Sequence, residues 1–262
     1  MTQFTPVDFR MSNIADLESF EKTPLEERNL PSSTYQLLKQ SAELYGDKIA
    51  MRFLLEAKPE EEGVTYSYRQ MMAQVTQTAN ALRQLGIQAD DTVAILLPNL
   101  PQTQFSIWGG EAAGIINPIN PLLEVEHIAS ILNETKCPLL ITLAPMVGTD
   151  LWAKARALQQ LVPTLKTLIT VDIANFLSDE LRSLVTADRE NYLCDNVLDF
   201  DQLIADQPGD RLLSERQIKA EDIASYFHTG GTTGIPKLAP HSHFNEVASA
   251  FQIATVASSG SE

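Results

Sequence analysis

Cysteine is nearly absent: Cys137 and Cys194 are the only two in 262 residues, far apart and without metal-ligand spacing. They read as free thiols of a reducing compartment rather than a disulfide framework. Long apolar runs are missing too, for no stretch of eighteen apolar residues occurs and Met1 to Arg10 lacks a basic-then-apolar leader. The expectation is a cytoplasmic protein with no transmembrane segment. Basic charge is scarce: 19 Lys and Arg stand against 34 Asp and Glu, for a net charge of -15. That balance argues against nucleic acid or an anionic membrane as a bulk partner, so an anionic ligand needs a local positive site. No internal repeat is present, and the dinucleotide fingerprint G-x-G-x-x-G is absent. A hydrophobic content of 44% with 20% charged residues fits an ordinary globular chain able to bury a sizeable core.

What the chain does have is concentrated near its C-terminal end. Thr229-Gly230-Gly231-Thr232-Thr233-Gly234 places three glycines and three threonines in six positions, and Ile235-Pro236-Lys237 follows. Such a segment has almost nothing to bury. Glycine lets another molecule approach the main chain closely, threonine hydroxyls and free N–H groups form a row of donors, and Lys237 adds one ammonium. This is an inventory for phosphate. The plain alternative is a surface turn, which Gly, Thr and Pro also favour. The G-x-x-x-x-G-K loop followed by Ser or Thr does not fit in any register, because Pro236 stands where it needs glycine and Leu238 where it needs a hydroxyl.

The remainder alternates. Helices are expected at residues 35–45, 67–85, 102–113, 121–132, 151–161 and 175–186. Strands are expected at 49–55, 64–66, 93–97, 115–119, 139–142 and 167–171, with a charged turn at 58–63. The helix at 67–85 carries Met71, Val75, Ala79, Leu82 and Leu85 near a period of 3.6. Residues 195–216 read as a polar connection, 223–227 as the strand entering the glycine loop and 238–240 as the strand leaving it. Ser242 is then placed to cap a helix at 244–257. Strand–helix alternation at this spacing predicts an α/β fold with a mostly parallel, doubly wound sheet flanked by helices. Three units are expected: an N-terminal arm at 1–33, an α/β subdomain at 34–222, and the loop hairpin with its following helix at 223–262. His241 and His243 stand two apart, a pair without a third metal ligand, so capping or hydrogen bonding is the simpler role.

Thr229 to Lys237 resembles the phosphate loop of the adenylate-forming enzymes, the superfamily of acyl-CoA synthetases and AMP-dependent ligases. Its pattern runs Ser/Thr, Ser/Gly, Gly, Ser/Thr, Thr, Gly, any residue, Pro, Lys. Gly230 replaces the more usual serine, and Leu238 the glycine that commonly follows. The order of Val64-Thr65-Tyr66, Asp90 to Asn99 and Gly114 to Pro121 extends the likeness to the front part of that family's large N-terminal domain.

The resemblance implies that a carboxylic acid, expected in the fatty class, is activated by Mg²⁺-ATP to an acyl-adenylate and passed to CoA. Thr229, Thr232 and Thr233 would donate to phosphate by hydroxyl, Gly230, Gly231 and Gly234 by main chain, and Lys237 would neutralise charge. His243, matching the family's Thr-His or Ser-His pair, is expected in the active-site wall, and no metal ligand is assigned. Because family members are longer, the chain reads as an N-terminal piece partnered by a C-terminal remainder of the same enzyme and inactive alone. A non-catalytic module binding a phosphate ligand or a protein stays open as a second reading.

Overall fold

In the computed structural model, residues 13–55, 58, 61–186, 191–229 and 237–259 are described. Its strands are β1 (Ile49–Phe53), β2 (Val64–Ser67), β3 (Thr92–Leu96), β4 (Ile115–Pro118), β5 (Leu139–Leu143), β6 (Thr167–Val171), β7 (Val197–Asp199), β8 (Ile223–His228) and β9 (Leu238–Ser242). Its α-helices are α1 (Ile14–Glu21), α2 (Thr34–Tyr45), α3 (Tyr68–Gln84), α4 (Pro101–Ala113), α5 (Val125–Glu134), α6 (Leu151–Leu161), α7 (Asp179–Thr186), α8 (Phe200–Ala205) and α9 (His243–Ser259).

β3 and β5 are buried along their whole length. Strands apolar on both faces must be covered on both, and parallel order with helical crossovers does this. The seven-stranded sheet runs β7-β6-β5-β3-β4-β8-β9, parallel throughout except for the last pair, while β1 and β2 form a separate antiparallel hairpin. The α/β class with a mostly parallel sheet is therefore as the sequence predicts. The sheet crosses the expected boundary at residue 223, because β8 pairs with β4 through Ile116 and Ser225.

The helix after β2 starts at a capping box: Ser67 Oγ accepts from Gln70 N at 3.2 Å and Gln70 Oε1 accepts from Ser67 N at 2.9 Å. Its buried stripe is Met72, Val75, Ala79 and Leu82, whereas Leu85 is 37% exposed beyond the helix end. α3 lies close against α4 because Gly109 has no side chain: a Cβ there would stand 2.6 Å from Thr78 Cβ and 2.9 Å from the Val75 carbonyl oxygen.

Several elements differ from the sequence expectation. The helix expected to open at Pro121 or just after it begins at Val125, because Asn120 turns the chain first, its Oδ1 accepting from Leu122 N at 3.0 Å and its carbonyl from Leu123 N at 3.1 Å. The expected helix at 175–186 is a 3₁₀ turn, Ile173–Phe176, then α7, with extended Leu177 between. The polar connection contains β7 and α8, the latter capped by Asp199, whose Oδ1 accepts from Gln202 N at 2.9 Å. The expected arm holds α1, capped by Asn13, and is fixed to the body where Phe20 stacks on Phe251 of α9 at 6.1 Å. Its first twelve residues, and positions 59 and 60 of the charged turn, lie outside the described residues.

The tight α3–α4 contact gives a stability test. Gly109→Val should lower the unfolding free energy by about 1–3 kcal/mol, the cost of overpacking a closed interface, read as a reduced urea midpoint. An unchanged midpoint would mean that the two helices can separate freely.

Candidate phosphate-binding site

β8 and β9 run antiparallel in the register Ser225↔His241, Tyr226↔Pro240, Phe227↔Ala239 and His228↔Leu238. One step further, Thr229 N donates to the Lys237 carbonyl at 2.9 Å, and the Thr229 hydroxyl lies 3.4 Å from the same oxygen. The two ends of the glycine-threonine segment are thus clasped together. Thr229 and Lys237 are both exposed. Gly230, Gly231, Thr232, Thr233 and Gly234, expected as phosphate donors, lie outside the described residues together with Ile235 and Pro236. Just before the clasp, His228 has a buried Nδ1 without a hydrogen-bond partner. Burial pushes its pKa below the ordinary value.

The rails of this hairpin are held by polar side chains behind them. Ser225 Oγ donates to Glu246 Oε1 at 2.8 Å, and His241 Nδ1 lies 3.1 Å from the same oxygen, so one α9 carboxylate joins β8 to β9. Ser242 caps α9 as the sequence predicts: its hydroxyl accepts from Asn245 N at 3.2 Å, and its N–H donates to Asn245 Oδ1 at 2.9 Å.

His243, expected in the active-site wall, has a wholly buried side chain, at 0% exposure. Its N–H donates to the Asp222 carbonyl at 3.0 Å, and Phe244 N to the Ala220 carbonyl at 2.8 Å. Its Nδ1 sits 3.4 Å from Thr34 N and 3.1 Å from Thr34 Oγ1, and its ring also meets the Glu111 main chain. The reason is local: the turn from β9 into α9 points the first helical side chain beneath α2 and α4.

Around His243 is a cluster that sequence reasoning missed. Glu111 of α4, 4% exposed, has Oε2 2.6 Å from Thr34 Oγ1. Arg216 spreads its Nη1 over the carbonyls of Glu111, Ala112 and Gly114 at 3.3–3.5 Å, neutralising the C-terminal end of α4, and its Nη2 is 3.7 Å from Asp222. Burial pushes the Glu111 carboxyl up to about 8; the Thr34 hydroxyl, able to turn toward the ionised form, opposes this, and the Glu246 charge adds to it. Burial, then the Arg216 charge, pushes His243 down to about 4. Both groups are therefore neutral at pH 7. A lone acid amid Trp108-Gly109-Gly110-Glu111-Ala112-Ala113 was the available signal.

This hairpin and fold can be set beside known proteins. The family model described as AMP-binding enzyme matches residues 38–261. The chain belongs to that family. Among curated relatives, a marinolic acid–CoA ligase of Pseudoalteromonas sp. is 34% identical over 244 residues, covering 93% of this chain and 34% of the relative. A crotonobetaine/carnitine–CoA ligase of Citrobacter koseri is 30% identical over 213 residues, covering 80% of this chain and 36% of the relative. Of solved structures, an anthranilate CoA ligase in complex with anthranoyl-AMP superposes with a TM-score of 0.66 at 21% identity, over 84% of this chain and 36% of that one. The acetoacetyl-CoA synthetase of Streptomyces lividans gives 0.66 at 19% identity, over 84% and 31%. These two likenesses place the fold in the N-terminal domain of adenylate-forming enzymes. The chain spans about a third of the length of the curated relatives it matches.

The two shifted groups act oppositely on stability. Folded Glu111 keeps its proton to about 8 instead of the ordinary 4.5, so stability falls as pH rises through that window. Folded His243 stays neutral down to about 4 instead of 6.5, so its contribution is lost as pH falls through that window. The opposed slopes cancel where the windows overlap, and above it Glu111 acts alone at up to ~1.4 kcal/mol per pH unit. Urea midpoints should therefore decline between about pH 6.5 and 8, and Glu111→Gln should remove that decline. Parallel wild-type and variant profiles would show that Glu111 is not held protonated.

Proposed function

We propose that this chain is the N-terminal part of an acyl-CoA ligase that activates a carboxylic acid with ATP to an acyl-adenylate and then transfers the acyl group to CoA. The observation that carries the reading is the clasp between Thr229 and Lys237. It closes a glycine-threonine loop at the end of a strand paired to a parallel sheet, in a chain of the AMP-binding family. The full-length protein's acid is proposed to be of the fatty class, from the loop variant and the Asn117 to Leu122 turn; its CoA-ligase relatives are named for different acids.

In this reading the loop does electrostatic work. As a substrate carboxylate attacks the α-phosphate, charge moves onto the departing pyrophosphate, and donors already in place stabilise it without reorganising. The hydroxyls of Thr229, Thr232 and Thr233, the main-chain N–H groups of Gly230, Gly231 and Gly234, and the Lys237 ammonium are those donors. The exposed Lys237 side chain makes no ion pair among the described residues, which leaves it available. Mg²⁺ arrives as the companion of ATP's phosphates; among the described residues no group of three His, Cys, Asp or Glu side chains is placed to hold a metal ion. His243 acts from behind the site, as a support of β9. No helix among the described residues is long and apolar enough to cross a membrane.

A charge-assisted hydrogen bond contributes about 1.5–3 kcal/mol, so Lys237→Ala should slow acid-dependent ATP–pyrophosphate exchange in the full-length protein by roughly one to two orders of magnitude. Because Lys237 is exposed, the melting temperature should not change. An unaltered exchange rate would remove Lys237 from the chemistry. Exchange with no acid of any chain length would sink the ligase reading itself.

A further inference from the structure

Glu111 is the only buried carboxyl among the described residues, and neither the clasp nor any backbone group uses it. Its surroundings specify a direction for protons. Nδ1 of His243 faces the Thr34 N–H at 3.4 Å; acting as acceptor there, it leaves the ring proton to Nε2. The Thr34 hydroxyl has one proton to give and stands between Nδ1 at 3.1 Å and Glu111 Oε2 at 2.6 Å. It can donate to the ring only if its oxygen accepts from Glu111, which requires a protonated acid. An ionised Glu111 would instead turn that proton toward itself and leave Nδ1 with the long backbone contact alone.

His243 matters to the loop by position. Lys237 and His243 bracket the five residues of β9, an edge strand paired only to β8. The junction with α9 and the clasp are thus the two ends of one short, extended strand. We propose that Glu111 is a positioning residue for the phosphate loop: as a neutral acid it donates to Thr34, Thr34 donates to His243 Nδ1, and this chain fixes the turn on which the placement of Lys237 depends. The inference rests on the proposed function only for what the loop binds. The groups acting on the Glu111 carboxyl are Thr34 from α2 and Glu246 from α9; those acting on His243 are Arg216 and Asp222 from the segment before β8, and Arg83 of α3 acts on Arg216 in turn.

The test is nuclear magnetic resonance on the whole chain, with inorganic pyrophosphate as probe. At neutral pH the His243 ring should be the Nε2–H tautomer. Raising the pH through about 8 should move the His243 ring nitrogens and the backbone amides of Thr229 and Lys237 with a common midpoint. Pyrophosphate should bind about two- to tenfold more weakly above that step, the range one neutral hydrogen bond supplies. Glu111→Gln still donates through its carboxamide, so it should keep the neutral-pH positions and abolish the step. Thr34→Val should shift the neutral-pH resonances toward their alkaline positions, and Thr34→Ser should restore them. An Nδ1–H tautomer, or a His243 step that Thr229 and Lys237 do not share, overturns the proposal. A shared step without any pyrophosphate binding supports the positioning role of Glu111 and overturns the ligand assigned to the loop.

Discussion

The constraint on which the rest depends is the return of the chain after β8. Every earlier strand of the main sheet leaves by a helical crossover, which buries its exit; β8 turns straight back as β9. An antiparallel strand at the edge of a parallel sheet has one paired side and one open side. Its hold must come from its ends. At one end is the Thr229–Lys237 clasp; at the other, Ser242 caps α9, His243 N binds the Asp222 carbonyl and Phe244 N binds that of Ala220. Glu246 ties the two strands together between these points. A loop with nothing of its own to bury is thereby given two fixed ends.

The clasp is exposed, but the α9 end rests on buried polar groups, and burial of a charge is expensive unless it is paired. Here two of the three ionisable groups avoid the cost by staying neutral. Glu111 keeps its proton, His243 lacks one, and the remaining charge, on Arg216, lies against the carbonyl end of α4 and near Asp222. Each choice supports the others: Arg216 helps to keep His243 neutral, and a neutral His243 can accept from Thr34. An all-apolar junction would bury as well but would not orient a ring. Directionality is what the hydrogen bonds add.

Much of this molecule was legible in its sequence, for identifiable reasons. β3 is apolar after Thr92 and β5 is apolar but for Thr142, and α3 carries its own start and stop, from the Ser67–Gln70 box to Gly86 at a φ of 95°. The family likeness was carried by residues 229–237, whose composition serves contact rather than packing. Less legible were β7, of three residues, and α8, of six, too short to show a period, with only Asp199 as a signal. The late start of α5 followed from Asn120 using its own side chain to turn the chain, which competes with helix at that point. The burial of His243 was hidden because a Ser-His pair at a helix start says nothing about which way the second side chain turns. Thr34 and Glu111 lie 77 positions apart in the chain, and only the packing of α2 on α4 makes them neighbours.

The location of that cluster also bears on how the acidic chain handles an anionic ligand. In a chain of net charge -15, an acid held neutral at the β9–α9 junction removes one negative charge from it. Glu111 and Glu246 are close enough for the charge of one to raise the pKa of the other, and a second negative charge there would work against Lys237 as well as against the junction. Keeping Glu111 protonated thus serves two ends at once: it supplies a hydrogen-bond donor to Thr34 and withholds a second negative charge from beside Glu246. A glutamine would supply the donor and the neutrality permanently. A glutamate makes both depend on pH, so the choice of side chain turns a fixed support into one whose state follows the proton.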